Sequence, residues 1–475
     1  MNSPGKSPTF IVRTVGCKVN QYESQAMREA LMSAGFREVT DGEKSDFYVI
    51  NSCTVTHKAD RDTRSLIRRF NKTNPDGKII VAGCYAEMEK DRELLKGMPG
   101  VSALVRNSEK EKIAEILSLS GGVSDGAPYA SSPGKRESIG GQILDPRFSR
   151  RHYVWRGPAI PKATAGRGDD RSITGFTGRD RAFVKVQDGC NHRCSYCKVS
   201  LVRGPSKSRC AEGVLKEIKN LVSSHFKEIV FTGVCLGAWG KDFQKKESLA
   251  GLLEEAVRVA GDFRIRLSSI EPGYVSDELI RAVKSQPKIC KHLHIPLQAG
   301  DDRVLGLMNR PYTGKKFLRL IEKIRRAVPD IALTADVMAG FPGEGERNFI
   351  NTFDVIRKIR PSRVHVFPYS KRDGTRAADY KGEPDKKEKS ARVRKLIELG
   401  KGFSREFAES FIGKTEFALI ESERDKTTGL LTGYTDRYIR VHMDGADSLK
   451  NTLTPVTITS VAPDSGLVLA RLPAA

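Results

Sequence analysis

Six of the nine cysteines in this 475-residue chain stand just after short apolar runs, and that placement limits the folds open to it. Cys17 follows TFIVRTVG, Cys53 comes after DFYVIN, Cys84 follows KIIVAG, and Cys190, Cys194 and Cys197 come after RAFVKVQD. After each of the first three runs lies a stretch of helical period: NQYESQAMREALMSAG, HKADRDTRSLIRRFNK and AEMEKDRELLK. Apolar strands alternating with helices predict a parallel sheet with crossover helices. Positions following the strands of such a sheet line its carboxyl edge, where ligands bind. Cys17, Cys53 and Cys84 are far apart in sequence, yet the pattern brings them to one site.

The same reading divides the chain. Residues 8–106 form the N-terminal α/β domain. Residues 107–178 are rich in Gly, Ser, Pro and charge, a linker composition that includes the basic and aromatic stretch SRRHYVWRGP. Residues 179–408 alternate again. RAFVKVQD, EIVFTG, FRIRLSS, KHLHIPL, IALTADVMAG and RVHVFPYS give six βα units, which suit a partial (β/α)6 barrel with its chemistry at the strand carboxyl ends. Residues 409–475 show strand alternation and turns, enough for a small all-β barrel of the kind that binds oligonucleotides. The fold class expected is α/β multidomain: a parallel α/β sheet, a partial barrel and a small β barrel.

The spacing C-x3-C-x2-C in DGCNHRCSYC carries chemistry. MNSPGKSPTFIVRTVG has no apolar core of signal type, so a cytoplasmic, reducing setting is expected. There, nine cysteines point to metal or redox chemistry rather than disulfides. Three clustered thiolates suit a four-iron cluster that keeps one iron open. Structural zinc would want a fourth ligand, and the nearest candidate, His192, lies between two of the cysteines. Cys210, Cys235 and Cys290 show no ligand spacing and read as packing residues, although Cys235 ends a barrel strand. His292 and His294 share a strand face and read as core or supporting groups. GFPGE, residues 340–344, reads equally as a sharp turn.

Charge points to the partner. Lys and Arg total 81 against 58 Asp and Glu, a net +23 that suits a polyanion such as nucleic acid. Arg61, Arg64, Arg68, Arg69 and Lys72 recur at helical spacing close after Cys53, a basic stripe able to meet phosphates. The chain has no apolar run long enough for a membrane helix.

The spacing of Cys190, Cys194 and Cys197 is that of the radical S-adenosylmethionine (SAM) enzymes, and the whole chain resembles the methylthiotransferases among them. The stretches that carry the resemblance are VGCKVNQYES, VINSCTVTHKAD, VAGCYAE, VKVQDGCNHRCSYC, HLHIPLQAGDDRVLGLMNRPYT, TADVMAGFPGE and HVFPYSKRDGT. GCKVNQYES, CTVTHKAD and HVFPYSKRDGTRAA are most similar to the branch acting on N6-threonylcarbamoyladenosine in tRNA. The resemblance implies two 4Fe-4S clusters, one on Cys190, Cys194 and Cys197, the other on Cys17, Cys53 and Cys84. It implies SAM contacts at Tyr196, Thr232 and Gly233, and a C-terminal TRAM-like domain; Gln298, by its strand-end position alone, reads as a cofactor-binding residue reaching SAM or substrate. It also implies an electron donor such as flavodoxin or ferredoxin, and the tRNA anticodon stem-loop as partner. The reaction the resemblance implies uses two SAM molecules, of which one methylates sulfur at the second cluster. The other yields a 5′-deoxyadenosyl radical that takes hydrogen from adenine C2 at position 37. A radical is needed because no neighbouring group stabilises a carbanion at that carbon. Ser200, Cys235 and the length of the linker depart from the usual pattern.

Three other readings use the same residues. Isopentenyladenosine in tRNA, or an aspartate of a ribosomal protein, would keep the chemistry and change the substrate. A non-catalytic iron–sulfur RNA-binding protein would bind a cluster without cleaving SAM.

Overall fold

The computed structural model describes residues 7–40, 42–121, 142–143 and 172–473. SRRHYVWRGP lies outside the described residues. The chain divides into two compact units: Met1–Ile173 with Leu201–Gly204, and Thr174–Ser200 with Pro205–Ala475.

The first unit is built on β1 (Thr9–Thr14), α1 (Lys18–Ser33), β2 (Arg37–Glu38), β3 (Phe47–Ser52), α2 (His57–Thr73), β4 (Lys78–Gly83), α3 (Glu89–Lys96), β5 (Val101–Val105), α4 (Ile113–Gly121) and β6 (Gln142–Ile143). The sheet order is β2-β1-β3-β4-β5-β6, parallel except for β6. Successive side chains of a strand face opposite sides, and both sides are apolar. Ile11, Ile50 and Ile79 pack with Ile67 and Phe70 of α2. Phe10, Val49 and Ile80 pack with Met27 and Leu31 of α1 and Ile113 and Leu117 of α4. Such double burial is what continuous apolar strands predict.

The expected linker start at residue 107 differs from the structure. Residues 107–112 form a 3-10 turn, α4 continues to Gly121, and Ile113, Ile116 and Leu117 are buried. Their i, i+3, i+4 spacing is a helical face, which the polar run NSEKEK before it hides.

The second unit contains the six expected barrel strands: β7 (Ala182–Asp188), β9 (Glu228–Gly233), β10 (Arg264–Leu267), β11 (His292–His294), β12 (Ala332–Ala339) and β13 (Arg363–Pro368), with a short antiparallel β8 (Lys207–Ser208) beside β7. Parallel pairing runs β7-β9-β10, then crosses to β11 through bridges Ile265–Ile289 and Ser269–His294, and on to β12 and β13. The result is an open arc of six parallel strands. Helices α6 (Ala211–Ser223), α7 (Leu249–Ala256), α8 (Asp277–Ser285), α9 (Asp302–Leu307), α10 (Gly314–Ala327) and α11 (Glu346–Ile359) connect them, while the last three residues of α5 (Val199–Arg203) belong to the first unit. Helix α12 (Lys386–Glu409) leads into β14 (Thr415–Arg424), β15 (Leu431–Thr435), β16 (Arg440–Met443), β17 (Leu453–Val461) and β18 (Val468–Arg471). These close into a barrel in the order β14-β15-β16-β18-β17. Its core holds Ala418, Ile420, Val441, Val456 and Ile458.

The small barrel seals the amino-terminal floor of the arc. Glu228 and Arg264 begin their strands there, and Arg266 lies two residues on. Arg264 donates to the carbonyls of Phe417 (2.8 Å) and Tyr434 (2.7 Å). Arg266 donates to those of Thr435 and Asp436, both at 2.9 Å.

Candidate metal and cofactor sites

In the first unit β1, β3 and β4 are neighbours and parallel. Cys17 follows β1 after Val15 and Gly16, while Cys53 and Cys84 directly follow β3 and β4. Gly16 makes the approach possible. Its φ is +111°, and a Cβ there would lie 2.4 Å from Cys53 Cβ and 2.9 Å from its Sγ. Gly83, at φ +99°, turns the chain into the 3-10 turn Cys84–Ala86. The Val55 amide donates to Cys53 Sγ at 3.4 Å, and Asn107 Nδ2 to Cys84 Sγ at 3.6 Å. Burial, then the charge of Cys84, pushes the Cys53 thiol up to about 12, with Cys17 adding to the shift. Cys53 thus senses both other thiols, and metal is what would make the trio favourable as thiolates.

Arg203 and Glu23 stand behind this site. Arg203 Nη1 lies 2.8 Å from Glu23 Oε1, and Lys110 Nζ lies 2.6 Å from Glu23 Oε2. Arg203 Nη2 also donates to Asn20 Oδ1 at 2.6 Å. Helix α2 begins after Cys53, capped by Thr56, whose side chain accepts from the Ala59 amide. Arg61, Arg68, Arg69 and Lys72 are exposed on it. Arg64 is half-buried and donates to the hydroxyl of Tyr85, the residue after Cys84.

In the second unit β7 ends at Asp188, and Gly189 (φ +67°) starts the loop carrying Cys190, Cys194 and Cys197. The segment after α9 pins this loop. Ser195 N and Oγ donate to the carbonyls of Met308 (3.0 Å) and Leu307 (2.7 Å), and Asn309 Nδ2 donates to that of Arg193 (2.8 Å). Arg310 Nη1 donates to Cys194 Sγ at 3.2 Å, and its Nη2 pairs with Glu271. A buried guanidinium aimed at a ligand sulfur suits a thiolate. A hydrogen bond from the Cys235 thiol pulls Cys190 down to about 7, while that bond and burial push Cys235 up. Burial raises Cys197 to about 12.

The expected SAM contacts take these places. The Tyr196 ring lies 6.4 Å from that of Phe341, which packs on Tyr369 and Tyr380, an aromatic group beside the loop. Thr232 is buried, and Gly233 ends β9 where a Cβ would stand 3.0 Å from Gln187 Oε1. Gln298 is buried at φ +63°, strained for a residue with a side chain, and its Oε1 has no hydrogen-bond partner among the described residues. Such strain concentrates at functional sites. Glu344 of GFPGE instead turns inward, accepting from the Gly340 amide and pairing with Arg392, so that motif builds a turn.

Among the described residues, no group of three or more His, Cys, Asp or Glu stands arranged as a metal site. Both cysteine trios, each at a sheet's carboxyl edge with hydrogen bonds to ligand sulfur, fit a four-iron cluster. Sequence reading missed Arg310, Glu271, Asn107 and Arg203. Their pairings are non-local, and no spacing announces them.

Residues 9–106 match the profile described as "Uncharacterized protein family UPF0004", and residues 184–356 that of the radical SAM superfamily. The threonylcarbamoyladenosine tRNA methylthiotransferase MtaB of Bacillus subtilis is 36% identical over 95% of this chain and 93% of its own length. That of Thermotoga maritima is 35% identical over 91% and 90%. The tRNA-2-methylthio-N(6)-dimethylallyladenosine synthase of Aquifex aeolicus is 31% identical over 97% and 98%. In structure, the radical SAM methyltransferase TsrM of Kitasatospora setae aligns at TM-score 0.53 and 14% identity, covering 78% of this chain and 74% of that one, a likeness of fold.

Proposed function

This chain belongs to the radical SAM methylthiotransferases that modify tRNA, and from that premise we propose that it methylthiolates C2 of N6-threonylcarbamoyladenosine at position 37, beside the anticodon. The observation that carries the reading is the pair of cysteine trios, each at the carboxyl edge of its own parallel sheet. Relatives named for threonylcarbamoyladenosine, at 36% and 35% identity, support that nucleoside.

Cys190, Cys194 and Cys197 would hold one 4Fe-4S cluster and Cys17, Cys53 and Cys84 a second; when bound, the first supplies the electron that cleaves SAM and the second the sulfur. Arg310 and Glu271 offer opposite charges beside Cys194, matched to the carboxylate and ammonium of SAM's methionine part. Tyr196 and Phe341 offer aromatic faces for its adenine. Arg61, Arg64, Arg68, Arg69 and Lys72 offer charge to the phosphates of the anticodon stem-loop. A base in a single-stranded loop is extruded at little cost, which admits the adenine edge to the arc. The electron comes from a small carrier such as flavodoxin or ferredoxin, and the enzyme works in the cytoplasm.

Mass spectrometry of tRNA nucleosides from cells lacking the protein tests the substrate. Loss of 2-methylthio-N6-threonylcarbamoyladenosine alone is expected, and loss of the isopentenyl product instead overturns the reading.

A further inference from the structure

The inner face of the strand arc is polar, and the register shows which residues form it. Leu333, Thr334 and Ala335 of β12 all border a small cavity with Phe317 and Ile321 of α10, but the Thr334 hydroxyl turns to His294, and Val364 of β13 packs on Gly400 of α12. Alternation then turns Thr334, Asp336, Arg363 and His365 to the opposite side, into the arc. Thr334 pairs in register with His294, and Asp336 with His365. His294 Nδ1 lies 2.8 Å from Thr334 Oγ1, its Nε2 lies 3.1 Å from Asp336 Oδ2, and its ring centroid lies 5.6 Å from that of His365.

The band continues across the arc. Arg264 and Arg266 of β10 face the floor within it, so Ser268 shares their side. The Ser268 amide bonds the Phe231 carbonyl at 3.0 Å, beside Thr232, and Thr232 is opposite Lys185. Ser268 is buried, and its Oγ has no hydrogen-bond partner among the described residues. Below, the floor is closed: Tyr438 sits 5.1 Å from the His292 ring and 4.4 Å from the Arg266 guanidinium. Above lie the strand ends that carry the cysteine loop.

We propose that this band, Lys185, Ser268, His294, Asp336 and His365, is the pocket for the threonylcarbamoyl arm, with Asp336 and His365 determining specificity. The inference rests on the substrate reading above and names the residues that would enforce it. A tRNA is too broad to enter the arc, so only the extruded base reaches it. C2 and C6 of adenine both flank N1, so a base presenting C2 at the mouth carries its N6 arm on the same edge. That arm is a urea ending in a hydroxyl and a carboxylate. Asp336, which lies beside His294, accepts from its N–H or hydroxyl donors, and His365 and Lys185, the latter 3.3 Å from Asp188 Oδ2, bring donors to the carboxylate. A hydrocarbon arm would desolvate Ser268, His294 and Asp336 with nothing returned, and sites built of buried polar groups reject apolar analogues strongly.

The test measures binding of anticodon stem-loops to the reconstituted holoenzyme. Each carries threonylcarbamoyladenosine, isopentenyladenosine or unmodified adenosine at the reacting position. The wild type is expected to prefer the first over the second by about tenfold or more. Asp336→Leu and His365→Leu are expected to bring that preference to within about twofold, with unmodified stem-loop binding and iron content unchanged. His365 is exposed, so its variant decides the matter if Asp336→Leu fails to fold. Full preference retained in the folded variants overturns the pocket assignment alone. A wild-type preference for the isopentenyl stem-loop overturns the substrate reading with it.

Discussion

Replacing Glu228 by Gln tests how the small barrel is tied to the partial barrel. Glu228 is fully buried at the start of β9. Its Oε1 accepts from Arg266 Nε at 2.7 Å, and its Oε2 from Arg264 Nε at 2.7 Å and Arg266 Nη2 at 3.0 Å. Arg181 stands 3.9 Å away. The arginines' remaining donors go to small-barrel carbonyls, so this carboxylate holds the guanidiniums that hold the barrel. Glu228→Gln keeps the shape but turns an amide NH2 toward donors and leaves buried arginines uncompensated. Breaking one side of a buried pair costs about 3–5 kcal/mol, which lowers the melting temperature of a unit this size by roughly 10 °C. Burial pushes the Glu228 carboxyl up, but Arg266 and Arg264 outweigh it and hold it well below the usual carboxylate range. A depressed carboxyl contributes stability above its unfolded value of about 4.3, and that contribution fades as pH falls towards the folded value. The gap between wild type and Glu228→Gln, followed by circular dichroism, should be flat from about pH 5 to 8 and narrow below about pH 4. The apolar double variant Glu228→Leu/Arg266→Met should recover part of the loss. A loss under about 1 kcal/mol for Glu228→Gln, or a gap that widens in acid, would refute the reasoning.

Arg310→Met should keep iron but slow 5′-deoxyadenosine release from SAM by about tenfold or more, since a charge-assisted bond is removed beside Cys194; an unchanged rate in the iron-loaded variant would rule out that role for Arg310. Arg61→Ala/Arg68→Ala/Lys72→Ala should weaken tRNA binding for all sequences and flatten its salt dependence by roughly one unit of slope for each phosphate no longer neutralised. An unaltered slope would make the α2 stripe a solvated face.

Much of this architecture was legible because its signals are local. The runs TFIVRT, FYVINS and KIIVAG are apolar throughout, as strands buried on both faces must be, and the cysteines after them followed onto one edge. The C-x3-C-x2-C loop announced itself by spacing. VSALV became β5 although it stands without its own helical partner in the early pattern, and α4 was lost behind NSEKEK. Those elements are fixed by what they pack on, β4 and α1, rather than by their own periodicity. The groups around the thiols were hidden for the same reason: Arg310 meets Cys194 across 116 residues of sequence. His294 read as a core or supporting histidine, and only the pairing of β11 with β12 and β13 shows it sharing a polar face with Asp336 and His365.

The central claim is that two thiolate trios each carry a cluster. Iron analysis of anaerobically reconstituted protein tests it most directly. The wild type should hold about eight irons per chain, and Cys53→Ala and Cys194→Ala about four each. About four irons in the wild type, or zinc in either trio, would contradict it.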